Sequence, residues 1–188
     1  MGEADAVIRL DGVSLGAAPP DDINVMVTVP FGAEPFSVRV DDISGALTVS
    51  QLFHSTMRAP ASLGVVPHTL SGTADLLQAM VLTSHTLIPG MVLAARPVGV
   101  LYVGDEAGEE MTVLAVPASR LTTRFDKIAN YTDVPAGQLR QIAHFFCHYR
   151  DLEERHPPRN TGWGDVNEAR RVIVEAADRA REPMSIDR

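Results

Sequence analysis

Six short runs of the chain alternate apolar with polar residues or are apolar throughout, and both patterns are typical of β-strands. Polar turns rich in Gly, Pro and Asp separate most of these runs. The six runs lie at 23–30, 36–40, 45–53, 76–82, 91–103 and 110–117. Short strands in direct succession favour a closed or partly open barrel over a parallel sheet. Pro97, inside the fifth run, predicts a bulge or bend there.

The last third of the chain changes to a helical period. Apolar side chains recur at steps of three and four residues after Pro135, which suits the start of a helix, so 135–154 is predicted to be an amphipathic helix. A second helix is predicted to begin at Asp165, an N-cap residue followed three positions later by Glu168. The fold class is therefore α+β, with a small barrel and two C-terminal helices packed against it.

The length of 188 residues, 45% of them hydrophobic, suits one core better than two. Residues 1–20 have no firm period and end in GAAPP, so we expect a loosely ordered N-terminal extension. A single domain is predicted over 21–184, with 185–188 as a tail.

Composition restricts the partners. The formal net charge of −8, with Lys127 as the one lysine, argues against nucleic acid and anionic membranes as partners. A single cysteine, an acidic start and the lack of a long apolar run indicate a cytoplasmic protein.

Several motifs resemble those of the soluble, magnesium-dependent inorganic pyrophosphatases (family I). They are SGAL at 44–47, RPVGVLYVGDEAGEEMTVLAVP at 96–117, HFFCHYRDLE at 144–153 and GWGD at 162–165. The resemblance implies an OB-like five-stranded β-barrel with flanking strands and two C-terminal helices. It also implies a small-molecule ligand and a homo-oligomer, which is a hexamer in bacterial members.

In the register of that resemblance, three functional residues are unchanged and two are closely replaced. Asp75, Asp105 and Tyr149 are kept, and Glu110 and Arg150 stand for the family's next acid and a lysine. The expected catalytic residues are Asp75, Asp105, Glu110 and Tyr149. The three carboxylates are expected to hold a single weakly bound Mg²⁺, or no cofactor at all.

Other positions depart from the family pattern. Uncharged, non-aromatic residues replace charged or aromatic ones at Thr28, Ser37, Gln51, Ala59, Leu63, Thr73, Gln78 and Thr112, and Arg39 stands where the family has a glutamate. The expected substrate-binding residues are Thr28, Arg39, Gln51, Leu63, Gln78, Tyr149 and Arg150. These changes predict a degenerate pyrophosphate site whose pocket is wider and less charged. We therefore expect a repurposed scaffold that binds or transforms a small organic molecule, as an enzyme of specialised biosynthesis.

Two alternatives stay open on the sequence. One is a non-catalytic partner or binding subunit with a vestigial cavity, and the other is a weak Mg²⁺-dependent inorganic diphosphatase. Simpler interpretations also exist, in which Asp75 is a strand-edge acid facing water and Tyr149 is a core tyrosine. Whether the chain is an enzyme is left uncertain, with an altered, non-diphosphatase activity favoured.

Overall fold

The computed structural model describes residues 10–41, 46–72, 75–105, 108–153 and 160–181. Eight strands and two α-helices lie in these ranges. The strands are β1 Ile23–Val29, β2 Phe36–Val40, β3 Leu47–Leu52, β4 Ser62–Val65, β5 Gln78–Val81, β6 Val92–Asp105, β7 Gly108–Pro117 and β8 Asn160–Gly164, and the helices are α1 Ala136–His148 and α2 Val166–Arg181. No helix in the described ranges combines the length and the apolar character that a membrane span requires.

Five strands close into a barrel. Their order is β1-β4-β5-β7-β6, and β6 pairs back onto β1. The β5–β7 pair is parallel and the other four pairs are antiparallel. Strand β8 adds to the outer edge of β6, and β2 with β3 forms a separate hairpin. The predicted OB-like barrel with flanking strands and two C-terminal helices is confirmed.

The predicted irregularity at Pro97 is a register shift in β6. Pro97 lies opposite Ala115 and Gly99 lies opposite Leu114, so β6 has one residue more than β7 across this step. A β-carbon added to Gly99 would lie 2.8 Å from the Tyr131 β-carbon. Glycine is therefore required where the bulged strand approaches its neighbours.

Two strands, β4 and β8, were not predicted. Strand β4 has four residues and follows a stretch punctuated by Pro and Gly. Gly64 within it lies so close to β1 that a β-carbon would be 2.4 Å from the Met26 carbonyl oxygen. Strand β8 contains two glycines in five residues. Both strands are held by pairing with barrel neighbours, which their own sequences do not indicate.

Alternate residues along the strands divide between two cores on opposite strand faces. The α1-side core contains Val29, Met80, Leu82, Leu101, Val103, Leu114, Val116, Ile142, Phe145 and Phe146. The α2-side core contains Ile23, Val25, Leu77, Ala79, Val81, Val113, Ala115, Val172, Ile173 and Ala176. Each helix thus covers one set of apolar side chains on the barrel.

The ends of the helices follow from local hydrogen bonds. Asp165 caps α2 as predicted, since its Oδ1 accepts from the backbone N–H groups of Asn167 and Glu168 at 2.9 and 3.0 Å. Helix α1 ends at His148, before the predicted end at residue 154.

Burial, together with the Glu168 carboxylate near the start of α2, raises the pKa of Tyr102 on β6 to about 12.

The segment before β1 contacts the domain. Leu15 packs against the α2-side core, and the backbone N–H of Asn24 donates to the Leu15 carbonyl at 2.8 Å. Residues 1–9 and the tail at 185–188 lie outside the described ranges, so the predicted extension and the domain bounds 21–184 stay predictions.

Candidate functional site

The face of the barrel that α1 covers ends in polar side chains. Met80 on β5 and Leu114 on β7 belong to the α1-side core. Residues two positions apart on a strand share a face. Gln78 therefore lies on the same face of β5 as Met80, and Thr112 and Glu110 lie on the same face of β7 as Leu114. Thr112 is 5% exposed, whereas Gln78 and Glu110 are exposed. The apolar face therefore opens to solvent at this end.

Two carboxylates lie at this polar end of the barrel. Gln78 pairs with Thr112 in the parallel β5–β7 ladder. Asp75 precedes Gln78 by three residues and Glu110 precedes Thr112 by two, so both lie towards the same edge of the ladder. Asp75 is exposed, and its carbonyl oxygen accepts from the Ser71 N–H at 2.7 Å.

The third predicted carboxylate comes from the strand beside β7. Glu110 pairs with Val103, and Asp105 follows on β6, where its backbone pairs with Gly108. The Asp105 backbone therefore reaches the same end of the barrel as Glu110, while its side chain lies outside the described part of the structure. The topology thus brings the three acidic positions to one edge.

The donor chemistry of this edge fits Mg²⁺. Within the described side chains, no group of three or more His, Cys, Asp or Glu could hold a metal ion. Mg²⁺ does not require such a cage, because one or two carboxylates suffice when water and phosphate oxygens complete its octahedron. The exposed oxygens of Asp75 and Glu110 are hard ligands of this kind.

A cluster of aromatic rings follows the end of α1. Tyr149 caps the helix, its ring stacks on Phe145 with centroids 5.0 Å apart, and Phe53 meets it edge-on at 5.2 Å. The Cζ atom of Arg150 lies 5.0 Å from the centroids of both the Phe53 and the Tyr149 ring. The Nε of Arg150 is buried and has no hydrogen-bond partner among the described residues. Tyr149 and Arg150 therefore form one unit with Phe53.

A carboxylate connects this cluster to the segment after β3. Glu153 Oε1 accepts from the backbone N–H of His54 at 2.7 Å and lies 3.4 Å from His54 Nδ1. The His54 backbone hydrogen bond, with the nearby charge of Arg150 as a smaller contribution, lowers the pKa of Glu153. Phe53 precedes His54, so this contact also fixes the backbone beside the ring.

Two predicted substrate contacts lie within the barrel wall. Thr28 is 6% exposed, and its hydroxyl donates to the Leu63 carbonyl at 3.3 Å. Leu63 packs its side chain against the α1-side core. The Thr28 hydroxyl thus donates its proton to a backbone acceptor within the protein. A substrate contact for Thr28 or Leu63 stays a prediction.

Two further predicted substrate contacts lie on the β2–β3 hairpin. Arg39 and Gln51 are exposed, and Gln51 pairs with Ser37. Gln51 precedes Phe53 by two residues and leads towards the aromatic cluster. Arg39 lies farther along the hairpin, opposite Thr48.

Phe53 and Glu153 were not identified from the sequence. Phe53 is the last apolar residue of a predicted strand, and Glu153 lies in the last turn of the helix predicted over 135–154. Neither residue carries a signal for its partner, because the contacts connect positions about a hundred residues apart.

None of the altered positions lines a small cavity found in the described part of the chain. This cavity, of about 150 Å³, lies between the segment before β1 and α2, where Leu15, Pro20 and Ile173 contribute to its wall. Ile173 belongs to the α2-side core, on the other strand face from the carboxylate edge. Pockets for organic ligands are usually about 300–1,000 Å³, so this cavity is small for such a role.

The family model for inorganic pyrophosphatase matches residues 25–181. The chain belongs to the inorganic pyrophosphatase family. A curated inorganic pyrophosphatase of Agrobacterium fabrum is 45% identical over 172 residues, which cover 92% of this chain and 97% of the relative. An inorganic pyrophosphatase of Bradyrhizobium diazoefficiens is 41% identical over 175 residues, covering 93% and 98%.

Solved structures agree with this family membership. The inorganic pyrophosphatase of Thermus thermophilus superposes with a TM-score of 0.84 at 29% identity, over 93% of this chain and 99% of that one. A structure from Anaplasma phagocytophilum, described as an inorganic phosphatase, gives a TM-score of 0.83 at 34% identity, over 90% and 100%. The barrel, both helices and the carboxylate edge therefore lie within the shared fold.

These findings correct the functional expectation. The interpretation as a degenerate, repurposed scaffold for a less charged organic molecule in specialised biosynthesis was wrong, because relatives of 41–45% identity over nearly the whole chain are named inorganic pyrophosphatase. The expectation gave the replaced positions more weight than the motifs that the chain shares with the family. Contributions of residues that act as a unit are not additive, so a set of replacements does not by itself give the activity of the whole site.

Proposed function

We propose that this pyrophosphatase-family chain hydrolyses inorganic pyrophosphate to two phosphate ions with Mg²⁺ as its cofactor. The observation that carries the proposal is the similarity to named inorganic pyrophosphatases over more than nine-tenths of both chains. The edge formed by Asp75 and Glu110 supports it, since carboxylates beside a solvent-open face suit metal-assisted hydrolysis.

The reaction exchanges one P–O bond for another. A water oxygen forms a bond to one phosphorus, and the bridging oxygen leaves with the electron pair of the P–O bond that breaks. One proton of the water passes to a carboxylate and from there to the leaving phosphate, and the other stays on the newly bonded oxygen. We assign the proton transfer at the water to the carboxylates of Asp75, Asp105 and Glu110, and the orientation of the phosphate to Tyr149 and Arg150.

The same carboxylates, Asp75, Asp105 and Glu110, would hold the Mg²⁺. Bound there, the ion would neutralise phosphate charge and promote loss of a proton from water. Gln78 and the buried Thr112 line the face beside these acids and keep the surroundings of the substrate uncharged. Arg150 supplies positive charge from the end of α1, and its planar guanidinium suits paired phosphate oxygens.

The activity is tested by measuring phosphate release from pyrophosphate over a range of Mg²⁺ concentrations. Wild type should release two phosphates per pyrophosphate only with the metal present. Asp75→Asn should lower the rate by about 10²–10³-fold, as for loss of one group that stabilises developing charge.

The matched control is the neighbouring acid on β7. Glu109 is exposed like Glu110 but, one residue away, projects to the opposite strand face. Glu109→Gln should keep the wild-type rate, whereas Glu110→Gln should lower it. Metal-dependent release that survives the Asp75 and Glu110 substitutions would contradict the assignment, and no release by wild type would contradict the function.

We also propose a homo-oligomer, with the hexamer of the family resemblance as the expected size and the cytoplasm as its location. The side chains of Leu52 and Ile88 are 71% and 64% exposed, so they are available for contacts between subunits. Light scattering on the purified protein measures the mass, and a monomer at micromolar concentration would contradict the proposal.

A further inference from the structure

The guanidinium of Arg150 lies in the angle between two perpendicular rings. The Phe53 and Tyr149 rings meet at 89°, and the Arg150 Cζ lies over the face of each ring at 5.0 Å. Ring faces attract a cation without using its N–H donors. Two ring faces set at right angles therefore fix the position of the guanidinium while its donors stay directed elsewhere.

One donor of this guanidinium is left without an acceptor. Arg150 Nε is buried and makes no hydrogen bond within the described residues. No acceptor in the described part of the protein therefore holds this buried nitrogen, and the two ring faces are the contacts that position the guanidinium. Tyr149 is half-buried against the α1-side core, so the cluster borders the face that ends at the carboxylate edge.

The position of the Phe53 ring is set from outside the ring. The Tyr149 ring is fixed by its stack on Phe145, whereas Phe53 follows the end of β3 on a hairpin that is separate from the barrel. The hydrogen bond from His54 N–H to Glu153 ties this segment to the end of α1. The chain therefore carries a dedicated contact that brings Phe53 to Arg150.

We propose that Phe53 is a positioning residue that holds the Arg150 guanidinium for a phosphate group of pyrophosphate, an inference that rests on the proposed function. Arginine is suited to this arrangement because a flat guanidinium lies against a ring face, whereas a lysine ammonium is a compact charge on a flexible stem. Phe53 does not contact the reacting atoms and acts through Arg150.

The first test compares Phe53→Leu with wild type in steady-state pyrophosphate hydrolysis. Leucine keeps the apolar bulk but removes the ring face. We expect KM to rise by about 2- to 30-fold, the range that a partly desolvated cation–π contact supports, with a smaller change in kcat. Phe53→Tyr keeps an aromatic ring face, so its KM should equal that of wild type.

A matched control is available elsewhere in the chain. The Arg124 Cζ lies 5.8 Å from the centroid of the Phe125 ring, so Phe125→Leu removes an arginine–ring contact of the same type outside the site. This variant should leave KM unchanged. Urea unfolding of all variants shows which substitutions only alter stability, and Phe53→Met replaces Phe53→Leu if the latter fails to fold.

A double-mutant cycle with Arg150→Gln decides between positioning and packing. If Phe53 acts through Arg150, then Phe53→Leu should raise KM in the wild-type background and change it little once Arg150 is Gln. Equal effects in both backgrounds, or a loss of stability with unchanged KM, would overturn the proposal.

The non-hydrolysable analogue imidodiphosphate separates this inference from the proposed function. Calorimetric binding of the analogue with Mg²⁺ should weaken by the same factor in Phe53→Leu. Binding that depends on Phe53, in a protein that releases no phosphate, would refute the diphosphatase activity and support the positioning role. Hydrolysis and binding that are both unchanged in Phe53→Leu would refute the positioning role alone, and a wild type that neither hydrolyses nor binds would refute both.

Discussion

Replacing Phe145 by Ala removes the side chain at the centre of the contact between α1 and the barrel. Phe145 is 2% exposed in the α1-side core, and its ring stacks on Tyr149 with nearly parallel planes, 8° apart. The substitution therefore creates a cavity in the core and also removes the surface on which Tyr149 rests.

The magnitude follows from burial. A buried Phe→Ala change costs about 3–5 kcal/mol of unfolding free energy, from lost transfer free energy and the residual cavity. At about 2–4 °C per kcal/mol for a domain of this size, the thermal midpoint should fall by about 6–20 °C. Leu152→Ala is the matched control, since Leu152 is 74% exposed and its loss should change stability by no more than about 0.5 kcal/mol.

The assay is urea unfolding followed by the fluorescence of Trp163, the one tryptophan of the chain. Trp163 stacks on Tyr131 with ring centroids 5.7 Å apart, so its environment changes when the core opens. Protein concentration is held fixed because association would add to the measured stability. A loss below about 1 kcal/mol for Phe145→Ala would refute the burial of α1 against the barrel.

Three further changes test separate parts of the structure. Asp165→Ala removes both N-cap hydrogen bonds of α2 and should cost about 1 kcal/mol in urea unfolding, whereas Asp165→Asn, which keeps an acceptor, should cost little; equal losses would contradict the cap. Gly99→Ala places a β-carbon 2.8 Å from that of Tyr131 and should cost about 1–3 kcal/mol by the same assay, and an unchanged midpoint would contradict the close approach. The pKa of Glu153 is lowered in the folded protein. The Glu153 charge therefore stabilises the fold at pH values above its ordinary pKa of 4.5, and this stabilisation is lost as the pH falls through its pKa in the folded state. Thermal midpoints of wild type and Glu153→Gln should therefore differ at neutral pH and converge in acid, and a constant difference would contradict the sign.

Local patterns predict the elements that carry strong signals of their own. The strand pattern gave β1, β2, β3, β5, β6 and β7, and Pro97 gave the bulge in β6. Strands β4 and β8 have no such signal, because glycine and short length weaken any period while pairing with barrel neighbours forms them. Barrel closure between β1 and β6 is likewise a tertiary property.

The site shows the same division. Asp75 and Glu110 were identified from the family register, and the parallel pairing of β5 with β7 explains why they share an edge. Phe53 and Glu153 could not be found, since their roles arise from contacts across the fold. The functional error arose because the replaced positions were given more weight than the shared motifs, although the contributions of residues that act as a unit are not additive.

Phosphorus NMR of pyrophosphate incubated with the purified chain tests the central claim most directly. With Mg²⁺ present, the pyrophosphate signal should disappear and be replaced by inorganic phosphate at two equivalents, and chelation of the metal should stop the conversion. A pyrophosphate signal that persists at high protein concentration with Mg²⁺ would contradict the assignment of diphosphatase activity to this chain.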